Sequence, residues 1–321
     1  MYKKNITISD IAEQMGLSKT TISRALSGHG RVPNSTRKRV IEYCDKVGYR
    51  PNRIAQGLVK AKTYNLGWLV PVNSMNSELS FFQECLYGLS ELASQKNYDI
   101  LPIFSSNNQD IKHLERVLSN KKVDGIIVSQ PLVNDKRIEL VKKSGIPMIV
   151  IGYCDIDDVT TIDANNKMAC EEFTKQVISK SKGSRYAYFE GRTDTVINRI
   201  RKNAFIKIVS DYNCSYYRTF DELDLSSVRP LLDVCIKEDI DCIITADDII
   251  YNIIKQSMKN NELKKITLAS YYGSDELVEN NISTIIYNAR VIGYQAGEML
   301  LLKIKSGNIQ SKIIDNYTII V

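Results

Sequence analysis

The chain has 321 residues, of which 43% are hydrophobic and 25% charged, and its formal net charge is +6. This length predicts two or three domains, and the composition argues against global disorder. No stretch approaches the roughly 18 unbroken apolar residues that a membrane span needs, and the first residues contain no apolar signal core. We therefore expect a cytoplasmic protein without membrane contact.

Seven cysteines are scattered along the chain without a C-x-x-C pair, and the two histidines are His29 and His113. An odd number of cysteines favours reduced, mostly buried thiols. Neither histidine lies near a cysteine or within an H-E-x-x-H pattern, so a zinc site and a Ser-His-Asp triad both lack support. Glycine-rich phosphate motifs are absent as well. The sequence predicts no cofactor, no metal and no catalytic residue.

Charge is concentrated at the start of the chain. Residues 1–62 contain thirteen Lys and Arg against four Asp and Glu, a net charge of +9, whereas the remainder has a net charge of −3. A basic segment on a nearly neutral body is typical of a protein that binds the phosphate backbone of nucleic acid. The alternative is a basic tail that only aids solubility, but helical patterning within the segment favours the first interpretation.

Three short helices are predicted in this basic segment. Thr7 and Asp10 have the spacing of a capping box, with Asp in place of Glu, and open the first helix. Ser18 can cap a second helix over residues 19–26. A third helical pattern covers residues 34–47. Two short helices around a tight turn, braced by a third, form a helix-turn-helix whose second helix reads DNA.

The second helix has polar side chains that can reach DNA. Lys19 and Thr20 can contact base edges, whereas Ser18, Ser23 and Arg24 are better placed for phosphates. The alternative for each is a solvated helix face. Further candidate DNA contacts, at a helix start or just beyond the second helix, are Thr7, Arg31 and Thr36. For the last of these, the positive end of a helix dipole favours an anion.

Residues 51–62 predict a hinge that folds conditionally. The run from Arg53 to Leu58 makes only about two helical turns, which is too short to be stable alone in water. Gly57 weakens it by about 1 kcal/mol relative to alanine. Such a segment can fold when DNA and a partner chain pack against it, and Leu58 can then wedge into a minor-groove base step. The alternative is a simple linker.

From residue 65 onward, short β-rich runs alternate with amphipathic helical patterns. The β-rich runs cover residues 66–70, 98–104, 125–129, 147–152, 185–189, 242–245 and 266–269. Such alternation predicts parallel sheets with helices on both faces. Ligands in these folds bind beyond the carboxyl ends of the strands.

The run ISDIAEQMGLSKTTISRAL, from Ile8 to Leu26, resembles the head of the lactose/galactose-repressor (LacI) family, and the likeness continues through Gly48-Tyr49-Arg50-Pro51-Asn52. This resemblance implies an N-terminal all-α helix-turn-helix DNA-binding domain at 1–50, a hinge at 51–62, and a two-lobed periplasmic-binding-protein-like α/β effector domain at 63–321. It implies a homodimer that reads a near-palindromic operator. The hinge positions that would contact this DNA are Asn52, Ala55 and Leu58.

The resemblance further implies how the chain passes between the two lobes. The first lobe would comprise residues 63–158 and 289–314, and the second lobe residues 159–288 and 315–321. The three crossings would then fall near Asp158, Asn288 and Asp315. The final residues lack the apolar heptads that would tether a tetramer, so a dimer is expected.

Candidate effector contacts also follow from the resemblance. Arg199 matches the family's ligand-gripping arginine, whose fork can hold two hydroxyls, a carboxylate or a phosphate; the alternative is a structural salt bridge. Asp247 follows a strand, where its carboxylate suits paired sugar hydroxyls. Tyr272 replaces the family's usual aspartate with a ring that can stack on a pyranose. By the same matching, cleft-facing positions fall to Phe82, Ser129 and Tyr287. Core packing explains the two aromatic members of that set equally well.

These observations predict a transcriptional repressor whose operator affinity is controlled by a small molecule, a sugar or sugar phosphate. A solute-binding protein for a transporter shares the two-lobed fold, but it needs export and no basic head. A sugar-modifying enzyme could be built around Asp247 and Asp248. No nucleophile and base accompany that acid pair, so the sequence favours a protein that is not an enzyme.

Overall fold

A computed structural model describes residues 6–28, 30–50, 57, 61–71, 79–105, 107–181, 183–212, 214–220, 228–259, 262, 265–273, 277–278 and 282–321. The chain forms two compact units, Met1–Thr63 and Tyr64–Val321. Within the described residues, no helix is both long and apolar enough to cross a membrane.

The first unit contains the predicted helix-turn-helix. Its helices are α1 (Ile8–Met15), α2 (Lys19–Ser27) and α3 (Asn34–Lys46). The capping box of α1 is formed: the backbone N–H of Thr7 donates to Asp10 Oδ2 at 2.8 Å, and that of Asp10 donates to Thr7 Oγ1 at 3.3 Å. Gly16 then ends α1 with a φ of 63°, a left-handed conformation that glycine adopts readily. Ile22 is fully buried in the core between the helices.

The second unit is built on two six-stranded sheets. The first sheet contains β1 (Asn65–Pro71), β2 (Asp99–Ser105), β3 (Gly125–Ser129), β4 (Met148–Ile151), β5 (Thr161–Asp163) and β11 (Lys312–Ile313). The second sheet contains β6 (Arg185–Phe189), β7 (Tyr216–Phe220), β8 (Cys242–Thr245), β9 (Thr267–Ser270), β10 (Ser283–Tyr287) and β12 (Tyr317–Ile320). Their strand orders are β11-β5-β4-β3-β1-β2 and β12-β10-β9-β8-β6-β7.

Parallel pairing dominates both sheets, as the alternation of patterns predicts, and β12 alone among these strands runs antiparallel to its neighbour. The helices that connect and cover the strands are α4 (Leu79–Gln95), α5 (Lys112–Ser119), α6 (Lys136–Ser144), α7 (Asn166–Lys180), α8 (Val196–Asp211), α9 (Val228–Lys237), α10 (Asp248–Ser257) and α11 (Ala289–Ser306). Each sheet with its helices is called a lobe below. The α/β fold class expected from the sequence is confirmed.

The first crossing between lobes lies later than the sequence suggests. Strand β5 pairs with β4, with Thr161 opposite Val150 and Ile162 opposite Ile151. The first sheet therefore reaches Asp163, five residues beyond the position near Asp158 at which the sequence places the first crossing. That strand satisfies the free edge of β4, but its three residues are too few to give a β pattern in the sequence.

Helix α11 returns the chain to the first lobe and packs closely on α4. A Cβ atom on Gly293 would lie 2.0 Å from the carbonyl oxygen of Cys85, and one on Gly88 would lie 1.9 Å from the carbonyl oxygen of Arg290. Real Cβ atoms do not approach backbone oxygen this closely. The crossing of these two helices therefore requires glycine at both positions, since only hydrogen fits between the backbones.

Candidate DNA-reading helix and effector cavity

Helix α2 presents a continuous polar stripe to solvent. Lys19, Thr20, Ser23 and Arg24 are all exposed, whereas Ile22 is buried on the opposite side. The stripe follows from the helical period, since these four positions lie on one face. It contains two cations and two hydroxyls. That composition suits a surface that contacts both phosphates and base edges.

Two predicted DNA contacts are the N-cap residues of helices. The Ser18 hydroxyl accepts a hydrogen bond from the backbone N–H of Thr21 at 3.0 Å and caps α2. The Thr7 hydroxyl takes part in the capping box of α1. Their side chains therefore fix where the helices begin, and any contact with a phosphate has to share the same hydroxyl.

The remaining predicted DNA contacts are placed as follows. Arg31 is exposed beyond α2, and Thr36 is half-buried in the first turn of α3. The guanidinium of Arg37 donates to the carbonyl oxygen of Gly28 at 3.2 Å and ties the end of α2 to the start of α3. The hinge positions Asn52, Ala55 and Leu58 lie outside the described residues.

A cavity of about 50 Å³ lies between the two lobes, at the carboxyl ends of several strands. Its walls are Phe81, Phe82, Gln130, Pro131, Ile151, Gly152, Tyr153, Ala164, Asn166, Ile197, Ile200, Arg201, Tyr272, Tyr287 and Ile292. This volume is well below the roughly 300–1,000 Å³ of a typical ligand site. A molecule the size of a sugar can therefore enter only if the lobes move apart.

Aromatic rings form much of the cavity wall. The ring of Phe81 makes edge-on contacts with those of Phe82, Tyr272 and Tyr287, at centroid distances of 5.5, 6.4 and 6.5 Å. Of the predicted effector contacts, Phe82, Tyr272 and Tyr287 lie on this wall. Aromatic faces of this kind suit the apolar face of a ring-shaped ligand.

Two other predicted effector contacts do not reach the cavity. Ser129 is fully buried inside the first lobe, where its hydroxyl accepts from Trp68 Nε1 at 3.0 Å and donates to the carbonyl oxygen of Leu69 at 2.8 Å. Asp247 is buried at the start of α10, where its carboxylate accepts from the backbone N–H of Ile250 at 2.9 Å. Ser129 and one carboxylate oxygen of Asp247 therefore make hydrogen bonds within their own lobes, and neither residue belongs to the cavity wall.

The structure places Arg201, not Arg199, on the cavity. Arg201 is only 2% exposed, and its Nη1 lies 3.5 Å from Asn198 Oδ1. Arg199 instead forms an ion pair with Asp155, and both side chains are partly exposed. Helical spacing indicates which of the two arginines is buried, since Arg201 shares the buried face of α8 with Phe205, which lies one turn further on.

Arg201 adjoins a buried pair of tyrosines in the second lobe. Burial raises the pKa of Tyr188 and of Tyr271 well above the ordinary value of 10, and the nearby positive charge of Arg201 acts in the opposite direction. Both phenols are therefore neutral at physiological pH.

Within the described residues, no group of three or more His, Cys, Asp or Glu could hold a metal ion.

The lobes are joined across the cleft by backbone hydrogen bonds. The N–H of Val133 donates to the carbonyl oxygen of Asp194 at 2.9 Å, and the N–H of Val196 donates to that of Pro131 at 3.0 Å. On another wall of the cleft, the hydroxyls of Ser80 and Tyr272 are 2.7 Å apart. Together with the Asp155–Arg199 ion pair, these bonds hold the cleft closed around the cavity.

Replacing Asp155 with asparagine should weaken this closure only slightly. A partly exposed ion pair contributes about 0–1 kcal/mol, so we expect the amides of Val133 and Val196 to exchange with deuterium at most about fivefold faster. The difference from the unmodified protein should shrink in 1 M salt, since salt screens exposed charges. Hydrogen–deuterium exchange at two salt concentrations measures this. An increase of a hundredfold would show that the pair dominates closure.

The fold and these two sites define a helix-turn-helix regulator with a periplasmic-binding-protein-like body. Two family descriptions match the chain: "Bacterial regulatory proteins, lacI family" at residues 7–52, and "Periplasmic binding proteins and sugar binding domain of LacI family" at residues 63–209. The chain belongs to the lacI family.

Similar proteins agree with this assignment. Catabolite control protein A of Priestia megaterium is 31% identical over 62% of this chain, and the matched stretch spans 59% of that protein. The HTH-type transcriptional regulator pepR1 of Lactobacillus delbrueckii subsp. lactis is 28% identical over 97% of this chain and 95% of its own length. The crystal structure of the lac repressor dimer bound to operator and the anti-inducer ONPF superposes with a TM-score of 0.81, at 17% identity, over 99% of this chain and 98% of that one.

Proposed function

We propose that the protein is a cytoplasmic transcriptional repressor that binds a near-palindromic operator as a homodimer and releases or tightens its grip when a saccharide occupies the cleft. The observation that carries this proposal is the polar stripe of α2 on the same chain as two lobes that enclose a cavity. A solute-binding protein or an enzyme has no use for such a helix. The family and the names of the relatives support the same function.

On the DNA side, we assign different roles to the residues of the stripe. Lys19 and Thr20 lie at the start of α2 and are proposed to contact base edges, while Ser23 and Arg24 are proposed to contact phosphates. Arg31 and Thr36 add to the phosphate contacts. Asn52, Ala55 and Leu58 are proposed to complete the interface from the hinge.

On the effector side, the aromatic wall and the guanidinium of Arg201 support a sugar or sugar phosphate. A pyranose face can stack on Tyr272 or Phe82, and Arg201 can donate to hydroxyl or phosphate oxygens. Occupancy changes how far the lobes close. Allosteric coupling of about 1–3 kcal/mol would then alter operator affinity roughly 5- to 150-fold.

The proposal is tested by selecting operators from random duplex DNA and comparing their affinity with that of scrambled DNA over a range of salt concentrations. We expect a preference of about a thousandfold or more, with steep salt dependence. Replacing Thr20 with alanine should cost about 1–3 kcal/mol and relax the preference at one base pair. Replacing Arg24 with glutamine should weaken binding to all sequences and reduce the salt slope by about 1.

Lys46 provides a matched control, because it is an exposed cation of the same unit at the far end of α3. Its replacement with glutamine should leave both the affinity for DNA and the salt slope close to those of the unmodified protein. Equal affinity for selected and scrambled DNA, under all salt conditions, would refute the proposal and leave a binding protein in which the basic head is only a tether.

A further inference from the structure

One loop of the first lobe lies on both the cavity and the opposite lobe. This segment, residues 130–135, is called the cleft loop below. Gln130 and Pro131 form part of the cavity wall. The carbonyl oxygen of Pro131 also accepts from the N–H of Val196, and the N–H of Val133 donates to the carbonyl oxygen of Asp194, so the same loop carries both backbone hydrogen bonds to the second lobe. Any change in the conformation of the cleft loop must therefore alter both the cavity and the closure of the lobes.

The cleft loop is held by an ion pair that is removed from water. Asp135 is 0% exposed and Arg137 is 1% exposed. The guanidinium donates to both carboxylate oxygens, with Nε 2.9 Å from Oδ1 and Nη2 2.7 Å from Oδ2. Oδ2 also accepts from the backbone N–H of Leu132 at 2.9 Å. The guanidinium further donates to the carbonyl oxygens of Gln130 at 3.0 Å and Ser105 at 3.3 Å.

The cleft loop needs such support, because its backbone is strained at two positions. Gln130 and Asn134 have φ angles of 52° and 53°, in the left-handed region that residues with a side chain avoid. The ion pair binds the loop at Gln130, which is one of these two positions, and at Leu132, which lies between them. A strained conformation persists when its surroundings fix it at several points.

Stability alone is a poor reason for this ion pair. The free-energy cost of removing two charges from water is often larger than the gain from their mutual attraction. Apolar side chains of the same size would stabilise a core equally well. An apolar pair could not donate to two carbonyl oxygens or accept from Leu132. The polar pair therefore specifies one conformation of the cleft loop.

We propose that Asp135 and Arg137 are positioning residues that hold the cleft loop against the second lobe and so set how readily the lobes part. This inference rests on the proposed function for its biological meaning, since lobe closure is what a saccharide would bias. Its physical content concerns the chain alone. The pair acts through the backbone of the loop and does not itself line the cavity.

The test measures hydrogen–deuterium exchange of the amides of Val133 and Val196 in the full chain without DNA or saccharide. In the variant Arg137→Lys the positive charge is kept, but a single ammonium group cannot bind the carboxylate and two carbonyl oxygens in a planar fork. We expect exchange of both amides to be at least tenfold faster. The second variant, Asp135→Asn, removes the ion pair with little change in shape and should act in the same direction.

Arg229→Lys is the matched control. Arg229 also binds a carboxylate in a fork, with Nη1 and Nη2 each 2.9 Å from an oxygen of Glu262, and it donates to the carbonyl oxygen of Ser257 at 3.0 Å. It lies in the second lobe and makes none of the cross-cleft bonds. We expect its replacement to leave exchange of Val133 and Val196 unchanged.

Circular dichroism and thermal unfolding establish that each variant is folded. Faster exchange at both amides in folded Arg137→Lys or Asp135→Asn, with normal exchange in Arg229→Lys, supports the proposal. Exchange within twofold of the unmodified protein in both folded variants overturns it, as does the failure of both variants to fold, which would make the pair a folding element. Neither result depends on DNA binding, so the proposed function stands or falls separately.

Discussion

Replacing Gly293 with alanine is expected to lower the free energy of unfolding of the two-lobed unit by about 2–3 kcal/mol. The added Cβ would lie 2.0 Å from the carbonyl oxygen of Cys85, which belongs to the backbone of α4 and cannot rotate aside. Overpacking of a close contact costs about 1–3 kcal/mol and occasionally more. The higher helix propensity of alanine returns at most about 1 kcal/mol. Helices α4 and α11 must therefore separate.

Urea unfolding followed by tryptophan fluorescence measures this loss directly, because Trp68 is the only tryptophan of the chain and lies buried in β1 of the same lobe. Gly67→Ala is the control. A Cβ there would meet the side-chain atoms Ile126 Cγ1 at 3.0 Å and Ile103 Cδ1 at 3.1 Å, which can shift, so we expect a loss below about 1 kcal/mol. Equal midpoints for Gly293→Ala and the unmodified protein would contradict the assigned packing.

The helix-turn-helix could be predicted from the sequence because its determinants are local. The capping box at Thr7 and Asp10 depends on residues three apart, and Gly16 ends α1 through its own backbone freedom. Ile22 fills the core between helices that are close in the chain. Each signal points to the same structure. A segment in which independent local signals agree can be predicted from its sequence.

The two sheets could be predicted from the sequence for a different reason. Long alternating runs of strand and helix restrict the topology to parallel sheets with helical connections. The limit of this reasoning appears at Thr161–Asp163, a strand that exists because the edge of β4 is available to pair with it. Its three residues carry no periodicity of their own. Tertiary pairing, which a single sequence does not display, determines the strand.

The side chains of the cavity are likewise determined by tertiary contacts that a single sequence does not display. The rule that ligands bind beyond strand ends gives the right neighbourhood, and the structure places Phe82, Tyr272 and Tyr287 on the wall. The rule does not give the direction in which a side chain points. Ser129 turns inward because Trp68, in the neighbouring strand β1, needs an acceptor for its indole N–H. Such partners are far apart in the chain, so spacing along the sequence cannot reveal them.

Replacing Arg201 with methionine is expected to weaken the saccharide response strongly, whereas replacing Arg199 with methionine should change it little. Arg201 lines the cavity and is nearly inaccessible to water, so its hydrogen bonds to a bound ligand are made in a low-dielectric environment. Bonds to a charged group there contribute about 1.5–3 kcal/mol each. Arg199 is engaged with Asp155 at a partly exposed position, where an ion pair contributes about 0–1 kcal/mol.

Fluorescence anisotropy of labelled operator DNA, titrated with each saccharide that shifts the affinity of the unmodified protein, gives the half-saturating concentration. We expect Arg201→Met to raise that concentration at least about thirtyfold, corresponding to about 2 kcal/mol, and Arg199→Met to raise it at most about fivefold. Operator affinity without saccharide should be similar in both variants, because neither residue belongs to the DNA-reading unit. A larger effect at position 199 would mean that the family's ligand-gripping arginine is Arg199, and that the lobes close around a ligand differently from the arrangement in which Arg201 faces the cavity.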